Sequence, residues 1–214
     1  MCEYISKSKL KQQKKDFLIW INKVQKKIKK EHKIHFFYNP IGSGKRNLVI
    51  KQCNKNYFDL DYQIVITKIP KNMDFDKDAK DIKNIFKDTF DKYKPSDFSC
   101  CEDSTQALTT KNNAKGFGYD VIITRYKEND FYILYNKKNT NNANNNDYYW
   151  AIRSDMKEYK NKYKKIKGPE MWSYLRELYE FKRHKHKDDV EPNKKKSFQI
   201  LNEAVNETLD HFNN

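Results

Sequence analysis

The chain has 214 residues, a formal net charge of +15 and 34% charged residues, while Leu, Ile, Val and Phe together number only 47. That is just above the level at which disorder becomes the default, but the 15 Tyr, 13 Phe and 3 Trp supply enough apolar area for a core. No apolar run reaches the roughly 18 residues of a membrane span and Met1–Ile5 lacks a secretory apolar stretch; Cys2, Cys53, Cys100 and Cys101 show no C-x-x-C spacing, so free thiols in a cytoplasmic protein are expected.

Residues 7–31 read as a long basic amphipathic helix, because Phe17, Trp20, Ile21, Val24 and Ile28 recur at spacings of three and four. A short strand follows at Ile34–Tyr38, then a Gly-rich turn over Ile41-Gly42-Ser43-Gly44-Lys45-Arg46. Asn47–Gln52 fits either a short strand or a helix. Tyr57–Ile69 is the clearest strand, with Leu60, Tyr62, Ile64 and Ile66 on one face and Asp59, Asp61 and Gln63 on the other. Asp76–Tyr93 reads as an amphipathic helix.

Ser104–Lys111, Gly118–Tyr126 and Phe131–Tyr135 follow as three strands, close enough in sequence for an antiparallel meander. Beyond them comes an Asn-rich stretch, and the remainder reads as helical. Gly168-Pro169 opens one helix, a charged linker runs over His184–Lys196, and a last helix carries Phe198, Leu201, Val205, Leu209 and Phe212. The expected class is α+β, with a mixed, mostly antiparallel sheet, flanking helices and a helical C-terminal region. The expected organisation is a core over 1–137, an Asn-rich loop over 138–147 and a helical accessory region over 148–214.

The basic charge needs a discount. Only 5 of the 44 basic residues are Arg, and enrichment in Lys, Asn, Ile, Tyr and Phe also follows from an AT-rich coding bias. A Lys-rich solvated face and contact with nucleic acid or nucleotides therefore both account for it.

The informative pattern is Gly42-Ser43, then Asp59-Leu60-Asp61 on a strand, then Asp120 on a later strand. Positions i and i+2 of a strand project to one face, so Asp59 and Asp61 stand side by side. Adjacent carboxylates repel unless a cation lies between them, and Mg²⁺ combines carboxylates with substrate phosphates. Two such metals stabilise both the attacking and leaving oxygens of an in-line phosphoryl displacement. Gly42 and Ser43 offer backbone N–H groups and a hydroxyl to a triphosphate, and Lys45 and Arg46 offset its charge. A P-loop is excluded, because G-x-x-x-x-G-K-[ST] needs Gly where Asn39 stands and Ser or Thr where Arg46 stands.

This order of motifs resembles the DNA polymerase beta-like nucleotidyltransferase superfamily, over roughly residues 15–135. The resemblance implies a nucleotidyltransferase that transfers a nucleoside monophosphate from an NTP to an acceptor and releases pyrophosphate. It also implies Asp59, Asp61 and Asp120 as catalytic and metal-binding carboxylates for Mg²⁺ or Mn²⁺, and Gly42, Ser43, Lys45 and Arg46 as nucleotide-binding. Three departures stand out: 15 residues separate Ser43 from Asp59, Gly44-Lys45-Arg46 replaces the usual small or hydroxyl residues, and the chain is short for a second-messenger synthase. RNA or tRNA is the expected acceptor, with a nucleotide beside it; a protein partner is admitted and a membrane is not. The alternatives are a small-molecule nucleotidyltransferase and a catalytically inactive binding protein on the same fold.

Other features leave two readings open. Asp74-Phe75-Asp76 repeats Asp-x-Asp without an upstream Gly-Ser turn or a good strand. Tyr148, Tyr149 and Trp150 suit either nucleobase stacking or burial under the helical tail. The lysines between Lys157 and Lys167 suit either phosphate contact or a solvated face.

Overall fold

The computed structural model describes residues 3–51, 56–128, 130–138, 146–152, 155–186 and 197–213. The chain divides into two compact units, one of Ser6–Asn47 with Asp59–Arg153, the other of Met1–Ile5, Leu48–Phe58 and Ser154–Asn214.

In the first unit, helix α1 spans Lys7–His32, about 39 Å at 1.5 Å per residue. The Ser6 hydroxyl accepts the Lys9 N–H at its start, and Lys33 ends it in the left-handed region at φ 55°. The expected stripe is the buried one: Phe17, Trp20, Ile21, Val24 and Ile28 are at most 2% exposed. Strand β1 (His35–Pro40) follows, then α2 (Gly42–Arg46), β2 (Phe58–Lys68), α3 (Ala79–Tyr93) and the short β3 (Glu102–Asp103). Strands β4 (Ala107–Asn112), β5 (Phe117–Lys127), β6 (Asp130–Lys138) and β7 (Asn146–Ile152) complete the unit.

Seven strands form one sheet in the order β1-β2-β5-β4-β3, with β6 pairing β5 and β7 pairing β6. Strand β5 is shared: β4 runs antiparallel along Phe117–Ile122 and β6 along Thr124–Lys127. The expected meander is therefore present. The helices α1 and α3 cover one sheet face, and aromatic side chains make the joint. Phe17 stacks on Tyr62 with ring centroids 3.7 Å apart and meets Tyr119 at 4.9 Å; Trp20 meets Phe90 at 5.2 Å, and Phe36 meets Phe86 at 5.1 Å. The Tyr119 hydroxyl donates to the Gln13 carbonyl at 2.8 Å.

Three local expectations are corrected. The Gly-rich turn is a single helical turn, α2, although Gly is a poor helix former. The α3 helix begins at Ala79 rather than Asp76, because Asp74 closes a polar turn: its Oδ1 accepts the N–H groups of Asp76 and Lys77. Residues 148–152 form part of β7 rather than the helical region. Paired Tyr135↔Tyr149 and Leu134↔Trp150 positions give that strand its cross-strand packing. Most of the Asn-rich stretch, 139–145, lies outside the described residues, as does 187–196 of the charged linker.

In the second unit, α4 (Asp155–Lys164), α5 (Gly168–Lys185) and α6 (Ser197–Asn213) share an apolar core with Leu48 and Ile50. Leu175, Leu201, Ala204 and Val205 are at most 2% exposed within it. Tyr4 is fastened there by its hydroxyl, which donates to the Arg176 carbonyl at 2.7 Å, and by the Arg176 guanidinium over its ring at 3.9 Å. The α5 helix runs through His184 and ends in a basic turn of Lys182, Arg183, His184 and Lys185, where cations offset the helix dipole. Lys182 also pairs with Glu207 at 2.5 Å.

Candidate functional site

Strand alternation decides which side chains share a face. On β2, Leu60, Tyr62 and Ile64 are buried toward the helices, and Asp59, Asp61 and Gln63 are half-buried on the opposite face. On β5 Tyr119, Val121 and Ile123 are buried on the helix side, so by alternation Asp120, Ile122 and the equally buried Thr124 take that same opposite face. A hydrogen bond across the two strands fixes this assignment: Gln63 Nε2 donates to Thr124 Oγ1 at 3.2 Å. Asp59, Asp61 and Asp120 thus stand on one face of two neighbouring strands.

The Gly42-Ser43 segment is brought against Asp61. The Ile41 N–H donates to the Asp61 carbonyl at 2.9 Å, which ties the start of α2 to the middle of the carboxylate strand. Gly42 has φ +59°, and a Cβ placed there would lie 2.6 Å from Asp61 Oδ2. Only glycine satisfies both conditions: it alone takes this backbone readily and leaves the space beside the carboxylate open. Gly44 faces a looser constraint, since a Cβ there would meet Leu60 Cδ2 at 3.1 Å. Ser43 is half-buried and Lys45 exposed. The Arg46 guanidinium reaches back along its own turn to the Gly42 carbonyl at 3.3 Å.

Asp120 is held from the side. Its register partner on β4 is Thr109, whose Oγ1 donates to Asp120 Oδ1 at 2.6 Å. Burial pushes the Asp120 carboxyl above the usual carboxylate range, while the Thr109 hydrogen bond and the charge of Lys111 pull it down. Lys111, two residues on from Thr109, shares that strand face and lies 3.8 Å from Glu102. Thr109 and Lys111 escaped sequence reasoning, because their placement depends on the β4/β5 register rather than on a motif.

Among the described residues, no three acidic, histidine or cysteine side chains are gathered closely enough to hold a metal ion. By donor chemistry alone, Asp59, Asp61 and Asp120 would suit a hard divalent cation once brought together. The set consists of carboxylates on one face with no soft ligand, and one of them, Asp61, borders the space that a Gly42 side chain would fill.

The remaining candidates resolve differently. Asp74 and Asp76 are turn residues, and Asp76 Oδ1 lies 2.6 Å from Arg125 Nη2. Arg125 is 5% exposed, with its guanidinium 4.7 Å from the Phe75 ring centre and 4.8 Å from that of Trp150. Trp150 is therefore part of a structural clasp, and its Nε1 donates to the Phe75 carbonyl at 2.7 Å. Tyr148 donates to Asp103 Oδ2 at 2.7 Å, beside the buried Lys83, so it too serves the fold. Tyr149 stacks on Tyr135 at 5.6 Å and is 43% exposed.

The helix-backed mixed sheet, with its helical turn entering beside an Asp-x-Asp strand, has a known fold. Solved structures of two bacterial synthases share it. One is the STING-associated CdnE c-di-GMP synthase from Capnocytophaga granulosa, with TM-score 0.58 and 19% identity over 98% of this chain and 63% of that one. Another is the Vibrio cholerae DncV cyclic AMP-GMP synthase in complex with nonhydrolyzable GTP, with TM-score 0.57 and 11% identity over 82% of this chain and 46% of that one. Escherichia coli DncV with 3'-deoxy GTP gives TM-score 0.57 and 11% identity over 81% of this chain and 46% of that one. The chain thus spans between about half and just under two thirds of the length of these proteins. No family model matches it, and no curated protein matches it. Among the described residues, no helix is long and apolar enough to cross a membrane.

Proposed function

We propose that the chain is a divalent-metal-dependent nucleotidyltransferase that moves a nucleoside monophosphate from an NTP to a nucleotide acceptor and releases pyrophosphate. One observation carries this reading: the Gly42-Ser43 turn lies so close to the Asp59-x-Asp61 strand that a Cβ at Gly42 would fall 2.6 Å from Asp61 Oδ2. A phosphate-receiving turn beside paired carboxylates is what metal-assisted phosphoryl transfer requires. Asp59, Asp61 and Asp120 would hold Mg²⁺ or Mn²⁺, which when bound neutralises charge on the triphosphate. Ser43 and the amides of the first turn of α2 receive phosphate oxygens, and Lys45 adds positive charge at the exposed edge. Asp120 in its ionised form would assist removal of the acceptor hydroxyl proton.

The acceptor moves from RNA to a nucleotide. A basic surface favours any polyanion, and its Lys bias weakens it as an argument for RNA. Among the neighbours, Vibrio cholerae DncV is seen with the linear intermediate 5' pppA(3',5')pG, a nucleotide joined to a nucleotide. An acidic centre in a basic surround suits that chemistry equally well.

The test incubates the full chain with each α-labelled NTP, alone, in pairs and with total RNA, in Mg²⁺ or Mn²⁺. Label should enter a small nucleotide product without RNA, and the D59A/D61A variant should abolish it. Labelled RNA would restore the RNA acceptor. Absence of any labelled product in every arm would overturn the catalytic reading.

A further inference from the structure

We infer that Thr109 is a positioning residue for Asp120, fixing the carboxylate that completes the metal site; this rests on the nucleotidyltransferase reading above. The Thr109 hydroxyl donates to Asp120 Oδ1 at 2.6 Å from the register position directly opposite. That engages one oxygen and leaves Oδ2 for a cation.

The donor is itself immobilised. Thr109 pairs with Asp120 of β5 on one side and with Glu102 of β3 on the other, so its backbone is held from both edges. A β-branched side chain on a strand also has restricted χ1 freedom, which confines the hydroxyl. Threonine therefore supplies a fixed hydrogen bond where serine would supply a mobile one.

Groups that orient a metal-ligating carboxylate typically change metal affinity by about 10–100-fold when removed. Thr109→Val keeps the branched shape and deletes only the donor; Thr109→Ser keeps the donor. The experiment titrates Mn²⁺ by electron paramagnetic resonance into the full chain with saturating nonhydrolyzable GTP or ATP, and records thermal unfolding of each variant. Thr109→Val should weaken Mn²⁺ binding by about 10–100-fold while still unfolding cooperatively, and Thr109→Ser should stay within about threefold of wild type. Wild-type Mn²⁺ affinity in Thr109→Val would overturn the role of Thr109 alone. Equal loss in Thr109→Val and Thr109→Ser would also overturn it, since the hydroxyl would not be the operative group. A wild-type protein that binds no Mn²⁺, or a D59A/D61A variant that binds it undiminished, would overturn the metal site and the role of Thr109 together.

Discussion

Gly42→Ala probes the contact on which the functional reading depends. Two costs fall on one methyl group. The first is conformational, since φ +59° costs a residue with a Cβ about 1–2 kcal/mol. The second is steric: the new Cβ would lie 2.6 Å from Asp61 Oδ2, where real Cβ contacts essentially never fall under 3.0 Å, so the carboxylate or the turn must move by at least 0.4 Å. Overpacking of this kind adds about 1–3 kcal/mol. The total is roughly 2–5 kcal/mol, and a shift near half an ångström is enough to spoil a preorganised site.

Two other glycines separate these terms. Gly168 has φ +73°, and a Cβ added there would meet nothing within 4 Å, so Gly168→Ala bears the conformational cost alone. Gly44→Ala has no positive φ and meets only the flexible Leu60 tip at 3.1 Å. Urea unfolding should rank destabilisation as Gly42→Ala above Gly168→Ala, with Gly44→Ala least. Mn²⁺ affinity in the presence of a nonhydrolyzable NTP should fall in Gly42→Ala and hold in Gly168→Ala. A Gly42→Ala protein as stable as Gly168→Ala, with wild-type Mn²⁺ affinity, would refute the close approach of the turn to Asp61.

Other predictions concern the first unit's core. Lys83 is 1% exposed, 2.6 Å from Asp103 Oδ1, and its Nζ donates to the Ser104 carbonyl at 2.9 Å. Lys83→Met should cost about 3–5 kcal/mol in urea unfolding by leaving Asp103 uncompensated, and K83M/D103L should recover part of the loss. Tyr119→Phe removes the buried bond to Gln13 and should cost about 0.5–1.5 kcal/mol in the same assay. Burial pushes the Cys101 thiol and the Tyr62 and Tyr119 hydroxyls up, so the fold retains protons that the unfolded chain releases. Stability should therefore be complete below about pH 8.5 and fall as pH rises through the unfolded thiol and phenol values, with a shallower fall in Cys101→Ala. Exposed Cys100 should alkylate rapidly and buried Cys101 only on unfolding, as resolved by fragment mass spectrometry.

The parts legible in sequence were those governed by local periodicity. The stripe of α1 and the alternation of β2, which sets Asp59 and Asp61 on one face, each rest on spacing within one segment. The parts not legible depend on pairing between segments. Nothing local makes Gly42-Ser43-Gly44 helical; the turn is held by the Ile41–Asp61 backbone bond. Tyr148, Tyr149 and Trp150 became strand through pairing with β6, and Trp150 was committed to the Arg125 clasp by a loop 75 residues away. Thr109 became notable only once the register set it opposite Asp120. The +15 charge identified no partner by itself.

The most direct measurement is a crystal structure of the full chain with Mn²⁺ and a nonhydrolyzable NTP, with manganese located by anomalous scattering. Manganese should be bound by Asp59, Asp61 and Asp120, with the triphosphate against Gly42 and Ser43. Ordered nucleotide bound elsewhere, or manganese that leaves these three carboxylates untouched, would contradict the metal-dependent nucleotidyltransferase site.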